Sequence, residues 1–233
     1  MVKPSIFPRR GYANSHEEAL ALCESAGNRA LFLPEIAQAR IAGDLPWNNY
    51  YGSRSLRVTG TSKGGSKVVL YVHTDHPLAT SEGVRRAKRR GFVNGAARFP
   101  QESFLQLLEH DGEKADDGTY RVKAVLHQRL RESPSDFISI DDALAHPQTI
   151  PFLGSEDVAK QYLGAFRSAY RENKIGIWHI DDFNEDSPLA RPLFVGDNDV
   201  YGGGLDGDYG FGYDGRVVGV RAIASTAPKK ILR

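Results

Sequence analysis

Two apolar runs in this chain stop on the same set of polar groups. Val68-Val69-Leu70-Tyr71-Val72 leads into His73-Thr74-Asp75-His76, and Ile175-Gly176-Ile177-Trp178 leads into His179-Ile180-Asp181-Asp182. Imidazole nitrogen with carboxylate oxygen is the donor set of catalytic divalent metals, and the end of a buried strand is a rigid place to mount it. If the two strand ends converge, His73, His76 and His179 become ligands for zinc, manganese or iron. Asp75, Asp181 and Asp182 are then further ligands or the general base for a metal-bound water. A third segment supplies the complement: Arg85, Arg86, Arg89 and Arg90 share one face of a basic helix, a stripe suited to phosphate. The reading that uses all of them is a metal-dependent hydrolase. Its substrate carries phosphate, as a nucleotide or nucleic acid does, and Arg85, Arg86 and Arg89 hold that phosphate. The competing reading of the same residues is turn chemistry, in which Asp after a strand caps the next turn and Thr80-Ser81 caps the helix.

A second kind of site is written elsewhere. Between Asp181 and Asp214 there are nine acids and one base, Arg191, and glycines crowd the stretch from Gly196 to Gly219. Asp197-Asn198-Asp199 and Asp206-Gly207-Asp208 place oxygens at alternate positions, as calcium loops do, but Gly215 stands where an EF-hand needs its bidentate Glu. The aromatic residues among these glycines, Tyr209 and Tyr213 with Tyr201 and Phe211, suit a binding surface. Trp47 and Tyr50, in a loop rich in aromatic and amide groups, suit the same purpose. No Gly-x-Ser-x-Gly elbow, Cys-x-x-Cys pair or His-Glu-x-x-His is present.

The elements that must carry these residues follow from period and caps. Ser15 with Glu18 is a capping box before a helix that Gly27 closes, and Pro34 opens a second helix through Ile41. Residues 55–61 and 66–72 flank Ser62-Lys63-Gly64-Gly65 as a hairpin, and a strand candidate lies at 30–33. The basic helix runs from Thr80 to Arg90, another helix follows Pro100, and a strand spans 119–127. Val158, Tyr162, Leu163, Phe166, Ala169 and Tyr170 keep a 3.6-residue period after Ser155. Strands follow at 175–180, 192–196 and 216–224. Helices and strands therefore mix without βαβ alternation. The expected fold is one α+β domain over residues 1–233, with a mixed or largely antiparallel sheet, helices packed on it and a long Gly/Asp/Tyr-rich C-terminal loop.

Bulk properties narrow the partners little. The chain has 233 residues, 40% hydrophobic and 25% charged, with a net charge of +1, so no global field draws it to nucleic acid or membrane. Cys23 is alone and lies on an apolar helix face, reading as an inert core thiol. Without a leader, a disulfide or an apolar run of about 18 residues, a cytoplasmic protein is expected, with no membrane partner.

Two resemblances bear on the choice. Tyr71 to His76 resembles the His-x-His-x-Asp-His signature of metallo-β-lactamase-fold hydrolases, but Tyr71 replaces the first His and no Gly-Gly follows, so that family is set aside. Ser15-x-x-x-Ala19-x-x-x-Cys23-x-x-x-Gly27 and Leu31-x-Leu33-Pro34-Glu35 resemble the opening helix of C-type-lectin-like modules. Gly219-Val220-Arg221-Ala222-Ile223 resembles their closing strand. One cysteine cannot form the disulfides of the extracellular members, and the middle of the chain departs from them. A non-enzymatic recognition module on such a scaffold would use the loops at 47–54 and 197–214, with Trp47, Tyr50, Tyr209 and Tyr213, as its binding face. It stands as the alternative to the hydrolase. A structural or assembly subunit, pairing residues 83–98 (six bases, no acid) with the acidic segment of a protein partner or of a second copy, is the third reading.

Overall fold

In a computed structural model of the chain, residues 3–133, 135–180, 182–184, 186–196 and 204–221 are described. The chain opens with β1 (Ser5–Phe7), α1 (His16–Ser25), β2 (Asn28–Ala30) and α2 (Leu33–Ile41), then forms the long hairpin β3 (Tyr51–Thr61) and β4 (Lys67–Val72). Next come α3 (Ser81–Arg89), β5 (Ala97–Arg98), α4 (Gln101–Glu109), β6 (Val122–Leu126), α5 (His127–Arg131), β7 (Asp136–Ser139), α6 (Ile140–Ala143) and α7 (Thr149–Leu153). The last elements are α8 (Glu156–Tyr170), β8 (Lys174–His179), β9 (Leu189–Val195), β10 (Gly204–Gly207) and β11 (Val217–Arg221).

The strands join one sheet in the order β1-β11-β3-β9-β10-β8-β7, with β4 on β3, β6 on β4, β2 on β11 and β5 on β9. Among the described strands only β11–β3 and β10–β8 are parallel pairs, so the sheet is mixed and largely antiparallel, as expected for the α+β class. Two apolar cores flank it. On one side, α2, α7 and α8 bring Ile36, Phe152, Tyr162 and Phe166 onto Ile175, Ile177, Leu193, Val195 and Leu205. On the other, α1, α3 and α4 bring Leu20, Val84 and Phe104 onto Leu56, Val58, Leu70 and Ala190. Each large side chain so buried contributes roughly 1.5–3 kcal/mol, which is why the periodic apolar stripe on α8 was the clearest helix in the sequence.

Caps fall where residue chemistry places them. The Ser15, Thr80 and Ser155 side chains accept the backbone N–H groups of Glu18, Gly83 and Val158. Glu18 reaches back one residue further than a capping box requires, accepting the Asn14 N–H at 2.9 Å. The strand expected at 30–33 is displaced: β2 ends at Ala30, because Leu33 already starts the helix that Pro34 favours.

Two departures from the sequence reading shape the site. First, β9 continues through Pro192, which has no N–H to give a ladder. Pro192 pairs with Leu56 where the β3 register shifts between Gly52 and Leu56, a bulge that tolerates the missing donor. Within the bulge the Ser53 hydroxyl donates to the Leu193 carbonyl at 2.8 Å and accepts the Ser55 N–H at 3.1 Å. Second, the expected C-terminal loop contains a strand. Gly-Leu-Asp-Gly has little strand propensity, yet β10 slots between β8 and β9, parallel to one and antiparallel to the other. It fits because Gly204 has φ of +145° and a Cβ there would lie 2.0 Å from the Gly176 carbonyl oxygen. Gly204→Ala is therefore expected to destabilise the fold by several kcal/mol. Urea unfolding checks this, and a midpoint matching the parent chain would show that β10 is not wedged as described.

Candidate functional site

The two His-x-Asp turns do not meet. His73 follows β4 and His179 ends β8, and β3, β9 and β10 lie between those strands in the sheet. Buried His73 is saturated: its Nε2 donates to the Pro151 carbonyl at 2.8 Å, so Nδ1 accepts from the Ser55 hydroxyl at 2.8 Å, while Ser55 Oγ accepts the Leu33 N–H. Neither ring nitrogen of His73 is left for a metal. Asp75 is exposed and paired with Arg54 at 2.6 Å. His76 stacks on Phe99 with centroids 4.6 Å apart, and its Nδ1 accepts the Leu78 N–H at 3.2 Å, capping a single turn. His179 Nε2 donates to the Ser133 carbonyl, an acceptor shared with His146. Asp181 lies outside the described residues. Among the described residues no three His, Cys, Asp or Glu side chains are grouped to hold a metal ion.

Asp182 has a different task. It is buried between two guanidiniums that face each other across β3 and β9, Arg57 and Arg191, which are 1% and 2% exposed. Arg191 Nε donates to Asp182 Oδ2 at 2.6 Å, and Arg57 Nη1 lies 3.4 Å from Oδ1. Arg191 also donates to the carbonyls of Asp208 at 2.9 Å and Asn94 at 2.7 Å, while Thr59 Oγ1 donates to the Asp182 carbonyl. This carboxylate is bound up in structure and is not a general base.

The arginines of α3 likewise have partners. Glu82 takes Arg86 at 2.8 Å, Arg85 at 3.2 Å and Arg89 at 3.6 Å, and Arg85 reaches Glu17 on α1 at 3.0 Å. The hydrogen bond from Arg86, first among these contacts, holds the Glu82 carboxyl below its ordinary range. The stripe is a solvated helix face on which three arginines share Glu82.

What the fold does assemble is an aromatic and acidic pocket. Side chains of paired residues share a face, so Trp178 on β8, Asp206 on β10 and Phe194 on β9 form a row across three strands. Tyr50 stacks on Phe194 at 5.3 Å and donates from its hydroxyl to Asp206 Oδ2 at 2.9 Å. Burial first, then the Asp206 charge, pushes the Tyr50 phenol well above its ordinary value, so it remains a donor. Tyr209 packs on Tyr50 at 5.2 Å and on Tyr213 edge-on at 4.7 Å. Trp178, Asp206, Asp208, Tyr209 and Tyr213 line a cavity of about 330 Å³. Tyr213 is 51% exposed at its rim.

Sequence reading thus brought Tyr50, Tyr209 and Tyr213 to one place but not Trp47. Trp47 packs on Tyr162, Phe166 and Tyr170. There it serves the loop: buried Arg40 lies over the Trp47 ring and donates to the carbonyls of Trp47, Asn49 and Gly196. Trp178, Asp206 and Asp208 were missed as site residues. The i, i+2 spacing of the two acids was the visible signal, but Trp178 reads as strand core until its register with Asp206 is known.

No family model matches the sequence, and no curated protein does. Among solved structures, one described by the words "accommodation of massive sequence variation in Nanoarchaeota by the C-type lectin fold" superposes with a TM-score of 0.81. It is 38% identical, over 94% of this chain and 98% of that one. The chain belongs to the C-type lectin fold family. Membership overturns the first sequence reading: the neighbour has the C-type lectin fold, and the described residues of the His-x-Asp turns that carried the metallohydrolase are taken up by backbone and side-chain partners. It bears out the weaker resemblance at the two ends of the chain. Ser15 to Gly27 is the opening helix, and β11 is the closing strand as far as Arg221, with Ala222 and Ile223 outside the described residues. This C-type lectin fold speaks for ligand or partner recognition, and no described helix is long and apolar enough to cross a membrane.

Its histidines make the fold sensitive to acid. Burial lowers His16 and His73 to about 4, partly opposed by hydrogen bonds to the backbone of Ser53 and Pro151. A group depressed in the folded state and ordinary in the unfolded one leaves the unfolded chain binding more protons between pH ~6.5 and ~4. Stability is full above that window and falls as pH drops through it, by up to roughly 3 kcal/mol for each histidine. Urea unfolding across the window should show this slope, and His73→Gln should flatten it. Equal slopes in parent and variant would refute the assignment.

Proposed function

We propose that the chain is a non-enzymatic recognition module whose binding face is the pocket of Trp178, Asp206, Asp208, Tyr209 and Tyr213, with Tyr50 as its inner wall. The observation that carries this reading is the division of labour at the site. Backbone at the pocket is fixed by groups that do not line it, chiefly Arg191 on the Asp208 carbonyl and Arg40 on the Asn49 and Gly196 carbonyls. Lining side chains such as Tyr213 stand at the surface and carry little of the core. Aromatic side chains on a rigid frame give large contact area at low entropic cost.

The related solved structure is described in terms of massive sequence variation accommodated by this fold. In this chain the same property belongs to the pocket: its lining can change while the frame beneath holds. The test is a displayed library randomised at Trp178, Asp208, Tyr209 and Tyr213. Most members should keep cooperative unfolding, within about 1 kcal/mol of the parent for changes at Tyr213. Selection against a panel of unrelated proteins should yield binders whose affinity disappears when those positions revert. A library that is mostly unfolded, or binders that map elsewhere on the molecule, would contradict the proposal.

A further inference from the structure

We infer that this pocket takes the side-chain cation of a protein partner, the guanidinium of an arginine or the ammonium of a lysine, held between aromatic faces and the Asp208 carboxylate. The inference rests on the recognition reading above and adds the chemistry of what is recognised.

Charge comes first. The described lining residues include two acids, Asp206 and Asp208, and no base, while the buried guanidiniums of Arg40, Arg57 and Arg191 are turned onto Tyr162, Asp182 and backbone carbonyls. An anion in the cavity would meet two carboxylates, and a cation is the matching charge. Burial pushes the Asp208 carboxyl up, opposed by a hydrogen bond to its own backbone and by the nearby guanidiniums of Arg191 and Arg57.

The walls come second. Trp178, Tyr209 and Tyr213 offer ring faces and edges around the cavity, and a cation within about 6 Å of such rings is attracted by their quadrupoles. Calcium fits the same place poorly. It takes about six to eight oxygens, while among the described residues two that line the cavity carry carboxylates and Asp206 Oδ2 already accepts from Tyr50. Third, the polar inventory is incomplete. Asp208 Oδ1 and Trp178 Nε1 are buried and have no hydrogen-bond partner among the described residues. One is an acceptor for a cationic N–H, and the other a donor for a carbonyl, which the backbone of a partner's basic residue supplies beside its side chain. A cavity of about 330 Å³ suits one side chain, standing at the lower limit of small-ligand pockets, roughly 300 Å³.

The test titrates the full chain with N-acetyl-arginine-N-methylamide and N-acetyl-lysine-N-methylamide, and with the neutral citrulline and glutamine counterparts. The indole N–H resonance of Trp178, separated from that of Trp47 by a Trp47→Phe variant, is the readout. Saturable shifts are expected with one or both cationic probes. Affinity should fall about tenfold or more in Asp208→Asn and in Tyr213→Ala, the latter at an exposed position where the fold survives. The two cationic arms separate guanidinium from ammonium. Saturation by the neutral amides alone, or unchanged affinity in Asp208→Asn, overturns the cation assignment and leaves the recognition reading standing. No saturable shift with any probe also overturns it, and the randomised library then decides the recognition reading independently. Displacement of the probes by calcium at equal concentration would mark a metal loop and overturn it as well.

Discussion

Arg57 and Arg191 face each other across β3 and β9 in the sheet interior, and Asp182 lies between them. Two guanidiniums taken out of water without an anion cost several kcal/mol each, so the surroundings bring an anion and carbonyls to them, with Arg57 Nε left without a hydrogen-bond partner among the described residues. Asp182 is drawn in from the segment after β8. Backbone carbonyls of Asn94 and Asp208 supply the remaining acceptors for Arg191. A charge problem in the sheet thereby fixes the course of two loops that sequence patterning leaves undetermined. Removing one buried partner of such a group is far more damaging than any surface change nearby.

The pocket is a consequence of that arrangement. Asp208 is held by its carbonyl, so its carboxylate and the following Tyr209 have defined directions. Arg40 does the same work from the other side, with four acceptors: the Tyr162 hydroxyl and the carbonyls of Trp47, Asn49 and Gly196. Asn49 leads directly into Tyr50, which closes the pocket wall against Phe194. Close approach of α1 completes the support: Gly52 has no side chain, and a Cβ there would meet His16 and Phe194 at 2.7 Å. The residues that frame the pocket are therefore buried, charged or glycine, while those that line it are aromatic or acidic, from buried Asp206 at its floor to exposed Tyr213 at its rim.

The fold was legible wherever local chemistry decides. The Ser15, Thr80 and Ser155 caps, the Gly-Gly hairpin turn and the apolar stripe of α8 all act over a few residues. What was not legible depends on pairing across the chain. β10 is a strand because a gap between β8 and β9 accepts Gly204, not because Gly-Leu-Asp-Gly prefers to be extended. Asp182 next to His179 looked like a ligand pair because sequence adjacency cannot reveal that Arg57, 125 residues away in the chain, claims the carboxylate. His73 looked like a ligand because the bulge that turns Ser55 toward it is invisible in the sequence. Tyr50, Tyr209 and Tyr213 carry a signature visible in the sequence, amphipathic rings in polar loops, and the structure packs them together. Trp47 shared that signature, and Arg40 with α8 took it into the core.

The central claim is that the backbone under the pocket belongs to the rigid core and not to a surface loop. Native-state hydrogen exchange at the amides of residues 204–209 tests this most directly. The account predicts that these amides open only with global unfolding, sharing the exchange free energy of β9. Exchange of that segment at the rate of an exposed loop, while β9 stays protected, would contradict it.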